Sequence, residues 1–192
     1  MPAPLILVDE HDKPRGIAAW EAAHASPGTL HRAFSAYVFR KHGAELLMQR
    51  RSGKKPLFAG LWANTCCSHP REGEELLSIA PRRLQEEFGF TSPLTSVSTF
   101  VYQAEDPSGN GAEHEHVTIL RGDVQDDVTV RPNPDEVGEW KWIAVTELQK
   151  DMANSPENYA PWFPIGLEKL LKNAASVMVS PSAQLRMNSD EP

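Results

Sequence analysis

The sequence predicts a single α+β domain built around a mixed β-sheet, and three observations lead there. The chain has 192 residues, 40% hydrophobic and 23% charged, a length and balance that bury a core without disulfides and exclude disordered or fibrous classes. Short apolar runs bounded by Gly, Pro, Asn and Asp recur along it and read as strands. One segment, Glu74 to Phe88, carries Leu77, Ala80, Leu84 and Phe88 at spacings of three or four, the period of an amphipathic helix, and Gly89 stops it.

In order, Leu5 to Val8 is a short apolar strand expected at a sheet edge, followed by a turn-like stretch from Asp9 to Pro14. Phe34 to Phe39 and Glu45 to Gln49 flank Lys41-His42-Gly43 and predict a β-hairpin with Gly43 in the turn. A polar loop with Lys54, Lys55 and Pro56 leads to Trp62-Ala63-Asn64-Thr65-Cys66-Cys67-Ser68-His69-Pro70, where Pro70 disfavours helix at His69. Pro81 either kinks the next helix or marks its start, and Arg82 to Glu87 are helical in both cases. Strands are expected at Val97 to Gln103, Val117 to Val124 and Trp140 to Val145, and helices at Thr146 to Met152 and Leu167 to Lys172. The domain is expected over residues 1–175, with the aperiodic segment 176–192 as a flexible tail.

Lys plus Arg number 19 against 26 Asp plus Glu, a formal charge of -7, so neither a nucleic-acid surface nor an anionic-membrane surface is expected. An anionic ligand must then meet a local basic cluster. No apolar run has the length of a membrane span, and Met1-Pro2-Ala3-Pro4 lacks a signal-peptide layout; a cytoplasmic location is expected. The only cysteines, Cys66 and Cys67, are adjacent, and a trans peptide holds their Cα atoms about 3.8 Å apart, too close for an ordinary disulfide.

Several residues could carry chemistry. On the helix, Arg83 and Glu87 are four apart and share a face, as do Arg82 and Glu86; alone, such a pattern is a solvated face laced with ion pairs. An extended Cys67-Ser68-His69 sends Cys67 and His69 to one side and Cys66 to the other. In Glu113-His114-Glu115-His116 a strand separates the two carboxylates from the two imidazoles, and spacing does not choose between the pairs.

Arg82-Arg83-Leu84-Gln85-Glu86-Glu87-Phe88-Gly89-Phe90 resembles the end of the Nudix signature, in which a carboxylate-bearing helix holds magnesium against a diphosphate. It departs where the family's Arg-Glu pair is Arg82-Arg83, and where Ser68 stands for the leading glycine. Together with Leu30-His31-Arg32-Ala33-Phe34-Ser35, Asn64-Thr65-Cys66-Cys67-Ser68-His69-Pro70 and Glu113-His114-Glu115, in that order, the chain from about Leu5 to Lys172 resembles type I isopentenyl-diphosphate isomerases of the Nudix superfamily. The resemblance implies a Nudix-like mixed β-sheet sandwiched by helices. It also implies conversion of isopentenyl diphosphate to dimethylallyl diphosphate, by protonation and deprotonation through a carbocation, in isoprenoid biosynthesis. A Nudix-type pyrophosphohydrolase of a small diphosphate is the alternative, and the lost Arg-Glu pair argues against it.

By the same resemblance, His24, His31, His69, Glu113 and Glu115 hold one divalent metal, manganese, magnesium or zinc. Glu87 binds a Mg2+ bridged to the substrate diphosphate, which Arg51, Lys55 and Arg83 grip. Glu115 and Cys67 move the two protons from opposite faces, Tyr102 hydrogen-bonds near the acid, and the π face of Trp162 shelters the cation. Mg2+ and Mn2+ are therefore the expected cofactors and a small-molecule diphosphate the expected partner, with the chain a monomer or homodimer. Trp20 stands where the family often has a lysine for the diphosphate.

Overall fold

The structure is a computed structural model that describes residues 3–178. Strands are β1 (Leu5–Val8), β2 (Pro14–Ala18), β3 (His31–Arg40), β4 (Glu45–Arg51), β5 (Trp62–Ala63), β6 (Cys66–Ser68), β7 (Thr95–Glu105), β8 (Ala112–Asp123) and β9 (Val137–Ala144). Helices are α1 (Trp20–His24), α2 (Leu76–Phe88), α3 (Val145–Asn154) and α4 (Trp162–Met178), with a 3-10 turn at Pro156–Asn158.

Strand β3 is the spine. It pairs antiparallel with β1, β4 and β6, and parallel with β8, which in turn pairs antiparallel with β7. The sheet is thus mixed, as expected. Period-two alternation sends Ala33, Tyr37 and Phe39 of β3, with Leu46 and Met48 of β4, into a core that includes Leu148 of α3 and Phe163, Leu167 and Leu170 of α4. Phe34, Ala36 and Val38, with Leu47, enter a second core against Ile79, Ala80, Leu84 and Phe88 of α2. Helices cover both faces because both sets are apolar, and each fully buried Leu or Phe contributes about 1.5–3 kcal/mol by leaving water.

The hairpin turn uses Lys41 and His42 as well as Gly43, with φ of 51°, 55° and 87°. Helix α2 starts at Leu76 and keeps Pro81 inside it, which resolves the open choice in favour of a helix running through the proline. At its end Gly89 adopts φ 74°, and a Cβ there would lie 2.8 Å from the Arg131 carbonyl oxygen, so conformation and space both require glycine.

Two expectations need correction, and one element was not foreseen. β1 is not an edge strand, because Pro14–Ala18, which begins at the last residue of the expected turn and was assigned no strand, folds back as β2 and takes the edge; its side chains are mostly exposed and gave no apolar alternation. α1 was not foreseen, since five residues are too few to show a period. Helix α4 runs from Trp162 to Met178, beginning five residues earlier and ending six residues later than expected. The remainder of the expected tail lies outside the described residues.

Candidate active site

Strand register assembles the site. Strand β8 lies between β3 and β7, so Glu115 stands opposite His31 on one side and Tyr102 on the other. Across β3, β6 sets Cys67 opposite Ser35. Helix α1 brings His24 to the start of β8, a close approach that Gly111 permits, since a Cβ there would run into the His24 carbonyl oxygen. The strand also decides the open question in the Glu-His-Glu-His run: Glu113 and Glu115 face inward to the histidines.

His24, His31, His69 and Glu113 each offer a ligand atom within 4.8 Å of the others. Glu115 Oε1 lies 2.8 Å from His69 Nε2 and 3.8 Å from His31 Nε2. The outer nitrogens are already committed: His24 Nδ1 is 2.8 Å from the Trp20 carbonyl and His31 Nδ1 is 2.8 Å from the Thr29 carbonyl. A carbonyl only accepts, so each Nδ1 carries a proton and, in the neutral ring, each Nε2 turns a lone pair inward. His24 Nε2 lies 3.0 Å from Glu113 Oε2, without the angles of a hydrogen bond, and both buried atoms are left without a hydrogen-bond partner. Orphaned buried polar atoms are costly. Three imidazole nitrogens and the carboxylate oxygens fit a divalent cation, which would satisfy them.

The charges around this cluster are mutually dependent. Burial opposes a proton on His24, but the adjoining Glu113 carboxylate outweighs it and raises the pKa above the ordinary value. At His31 burial prevails and lowers the pKa to about 4, against the pull of Glu115. Burial, with the Glu115 charge, pushes Glu113 up. Burial acts likewise on Glu115, yet the hydrogen bond and charge of His69 overcome it and hold this carboxyl at about 2.

Beside the cluster is a cleft of about 150 Å³. Cys67, Tyr102, Glu115 and Trp162 line it; so do Arg51, Lys55 and Arg83, while His69 and Glu113 belong to cluster and cleft alike. Tyr102 Oη donates to Glu115 Oε2 at 2.8 Å. Burial pushes the Cys67 thiol up to about 11, opposed by the Ser35 hydroxyl 3.3 Å away. The Trp162 ring meets Phe58 edge-on, centroids 5.3 Å apart, and the Arg51 guanidinium lies 5.3 Å from the Trp162 ring centroid. Trp20 lines the cleft and stacks on His24 with centroids 4.1 Å apart.

The three cations differ in their partners. Lys55 Nζ pairs with Glu136 Oε2 at 2.5 Å, and Arg83 Nη2 with Glu136 Oε1 at 3.1 Å and Glu87 Oε1 at 2.7 Å. Arg51 donates to the Leu57 carbonyl, at 2.8 Å from Nη2, and among the described residues makes no ion pair. Glu87 sits away from the histidine cluster, buried on α2 with Gln49 Nε2 3.4 Å from its second oxygen; burial raises its pKa although Arg83 pulls it down.

Three residues at the site had no role in the sequence reading. Ser35 shares a face of β3 with His31, which alternation could have revealed. Asn64 lay inside the selective Asn-Thr-Cys-Cys-Ser-His-Pro stretch. Glu136 gave no local signal, because its cationic partners are far away in sequence.

Comparisons with known proteins show the family. The family profile described as NUDIX domain matches residues 29–163. The chain is 45% identical over 159 residues to a protein of Halorhodospira halophila named isopentenyl-diphosphate Delta-isomerase, covering 83% of this chain and 90% of that one. It is 44% identical over 169 residues to isopentenyl-diphosphate Delta-isomerase 2 of Aromatoleum aromaticum, covering 87% and 86%. Among solved structures, DR0079 from Deinococcus radiodurans superposes with a TM-score of 0.69 at 18% identity, over 87% of this chain and 98% of that one, a likeness of fold. With a NUDIX domain over most of its length and relatives of this identity nearly end to end, the chain belongs to the isopentenyl-diphosphate Delta-isomerase family.

Proposed function

We propose that the protein converts isopentenyl diphosphate to dimethylallyl diphosphate, a step of isoprenoid biosynthesis, in the cytoplasm. The observation that carries this reading is that a thiol, Cys67, and a carboxyl, Glu115, line one cleft together with an aromatic wall and three cations. Its relatives' names point to the same reaction. No helix among the described residues is long and apolar enough to cross a membrane, and two free cysteines fit a reducing compartment.

An isolated alkene is a very weak base, so the site must supply an acid, exclude water and shelter a cation. One of Cys67 and Glu115 gives a proton to the terminal alkene carbon, which leaves a tertiary carbocation. The other removes a proton from the methylene between that centre and the diphosphate-bearing carbon, and the new double bond forms there. Each group ends in the protonation state opposite to its starting one, so protons return to the pair between turnovers. Tyr102 holds one oxygen of Glu115 in place, and the π face of Trp162 stabilises the cation by about 2 kcal/mol once desolvated.

His24, His31, His69, Glu113 and Glu115 would hold one divalent ion, for which we favour Mn2+ or Mg2+; when bound it anchors the Glu115 carboxyl and biases its acidity. Arg51, Lys55 and Arg83 grip the diphosphate, and Glu87 is suited to a Mg2+ carried in with it, since a hard carboxylate suits a hard ion that keeps phosphate oxygens as ligands. Arg83 faces Glu86, Glu87 and Glu136, and Lys55 faces Glu136, which makes an accompanying Mg2+ an asset to a polyanion.

The test is to incubate the pure protein with isopentenyl diphosphate, Mg2+ and Mn2+, and to measure dimethylallyl diphosphate and inorganic phosphate together. Dimethylallyl diphosphate without phosphate release is the expected result. Phosphate release without it would instead make the protein a pyrophosphohydrolase.

A further inference from the structure

Asn64 is fully buried on the turn between β5 and β6. Its Nδ2 donates to the carbonyl oxygens of Ala36 at 3.0 Å and Cys66 at 3.1 Å. Both partners only accept, so the amide cannot flip: reversal would set its oxygen against two carbonyls and its NH2 against an indole N–H. Oδ1 therefore faces the site. There it accepts from Trp162 Nε1 at 3.0 Å and from Cys67 Sγ at 3.1 Å. One immobile oxygen thus links the thiol on β6 to the indole at the start of α4, two groups that nothing else in the hydrogen-bond pattern joins directly.

The direction of each bond follows from the same argument. Since Oδ1 is an acceptor, the sulfur is the donor, and its proton points at Asn64. The Ser35 hydroxyl, 3.3 Å from the sulfur, is then free to donate to it. Phe58 completes the mount. It packs edge-on against the Trp162 ring, and its own backbone, at φ 52°, is held by a 2.7 Å hydrogen bond from its N–H to the Asp106 carboxylate.

We propose that Asn64 is a positioning residue for the reaction: its side-chain oxygen sets the separation and facing of the Cys67 thiol and the Trp162 ring, which must flank the same alkene carbons. The inference rests on the isomerase reading given above. It requires that the amide act through two other side chains without touching substrate, which distinguishes it from a catalytic group and from a mere filler of the turn.

The experiment uses the full chain with its metal and compares wild type with Asn64→Ala, Trp162→Phe and the double variant. Infrared spectra give the S–H stretching band of Cys67, assigned by its absence in Cys67→Ala, and kinetics with isopentenyl diphosphate give kcat and KM. In Asn64→Ala the S–H band is expected to move to higher frequency, and kcat to fall about 100-fold with KM changed less than about twofold, the scale of a small misplacement of reacting groups. Trp162→Phe leaves the whole of Oδ1 to the thiol, so its S–H band is expected to move to lower frequency. The double variant should lose no more than about threefold beyond Asn64→Ala, because both changes break one linkage. An S–H band unmoved in Trp162→Phe, or losses in kcat that multiply, would overturn the proposal. If Asn64→Ala does not fold, the Trp162→Phe band alone decides. The infrared result needs no turnover, so failure of the isomerase reading is separable from failure of this one.

Discussion

Replacing Arg83 by Met removes the guanidinium that pairs with the buried carboxylate of Glu87. Arg83 Nη2 lies 2.7 Å from Glu87 Oε1, and Glu87 is 2% exposed. Deleting one partner of a buried pair typically costs about 3–5 kcal/mol, because the remaining charge is desolvated and uncompensated. In a domain of this size that is a fall in Tm of roughly 6–20 °C, at about 2–4 °C per kcal/mol. The deficit must depend on pH. Burial already raises the pKa of Glu87 with Arg83 in place, and losing the guanidinium raises it further. The folded variant then binds a proton that the unfolded chain releases, so its stability falls as pH rises through that window and recovers toward low pH. Urea unfolding in excess chelator, at pH 8 and pH 5, should show the larger deficit at pH 8. The double change Arg83→Met with Glu87→Gln should restore more than half of it, since both charges are then gone. A deficit equal at the two pH values and unrelieved by Glu87→Gln would refute the reasoning.

Other outcomes follow from the same geometry. Chelation should abolish turnover, and Mg2+ with Mn2+ should restore it; in the absence of substrate, the rise in Tm on adding the metal should disappear in His31→Ala, and a rise that persists would remove the cluster from metal binding. With its thiol pushed up to about 11, metal-free Cys67 should be about one part in a thousand thiolate at pH 8. Alkylation by iodoacetamide, followed at residue 67 by mass spectrometry, should be slow there and accelerate toward pH 11; rapid labelling at pH 7 would contradict the burial argument. Glu136→Gln frees Lys55 and Arg83 from the carboxylate that pairs with both. The KM for the diphosphate should fall about fivefold, on the order of 1 kcal/mol, whereas a rise would make Glu136 a helper of diphosphate binding.

Much of this was legible in the chain. The two-residue period carried the hairpin of β3 and β4 and the division of Cys66 from Cys67, because side-chain alternation is a local consequence of extended backbone. The four-residue spacing on α2 gave the pairs of Arg82 with Glu86 and Arg83 with Glu87, both of which form. What remained hidden was non-local. Nothing near Pro14 tells that the chain folds back as an edge strand. Nothing near Glu136 tells that it meets Lys55 and Arg83, and the choice of carboxylates over imidazoles in the Glu113 to His116 run depends on which face β3 presents. Trp20 was legible as a substitution, but its stacking on His24 was not.

The measurement that bears most directly on the account is the isomerisation carried out in heavy water. If Cys67 and Glu115, both exchangeable with solvent, move separate protons on one substrate, dimethylallyl diphosphate formed in a single turnover must carry deuterium at the carbon that was the terminal alkene. Cys67→Ala and Glu115→Gln should each form no product while still binding the diphosphate. Product free of solvent deuterium would mean that hydrogen passes within the substrate, and the paired thiol and carboxyl would then have no place in the reaction.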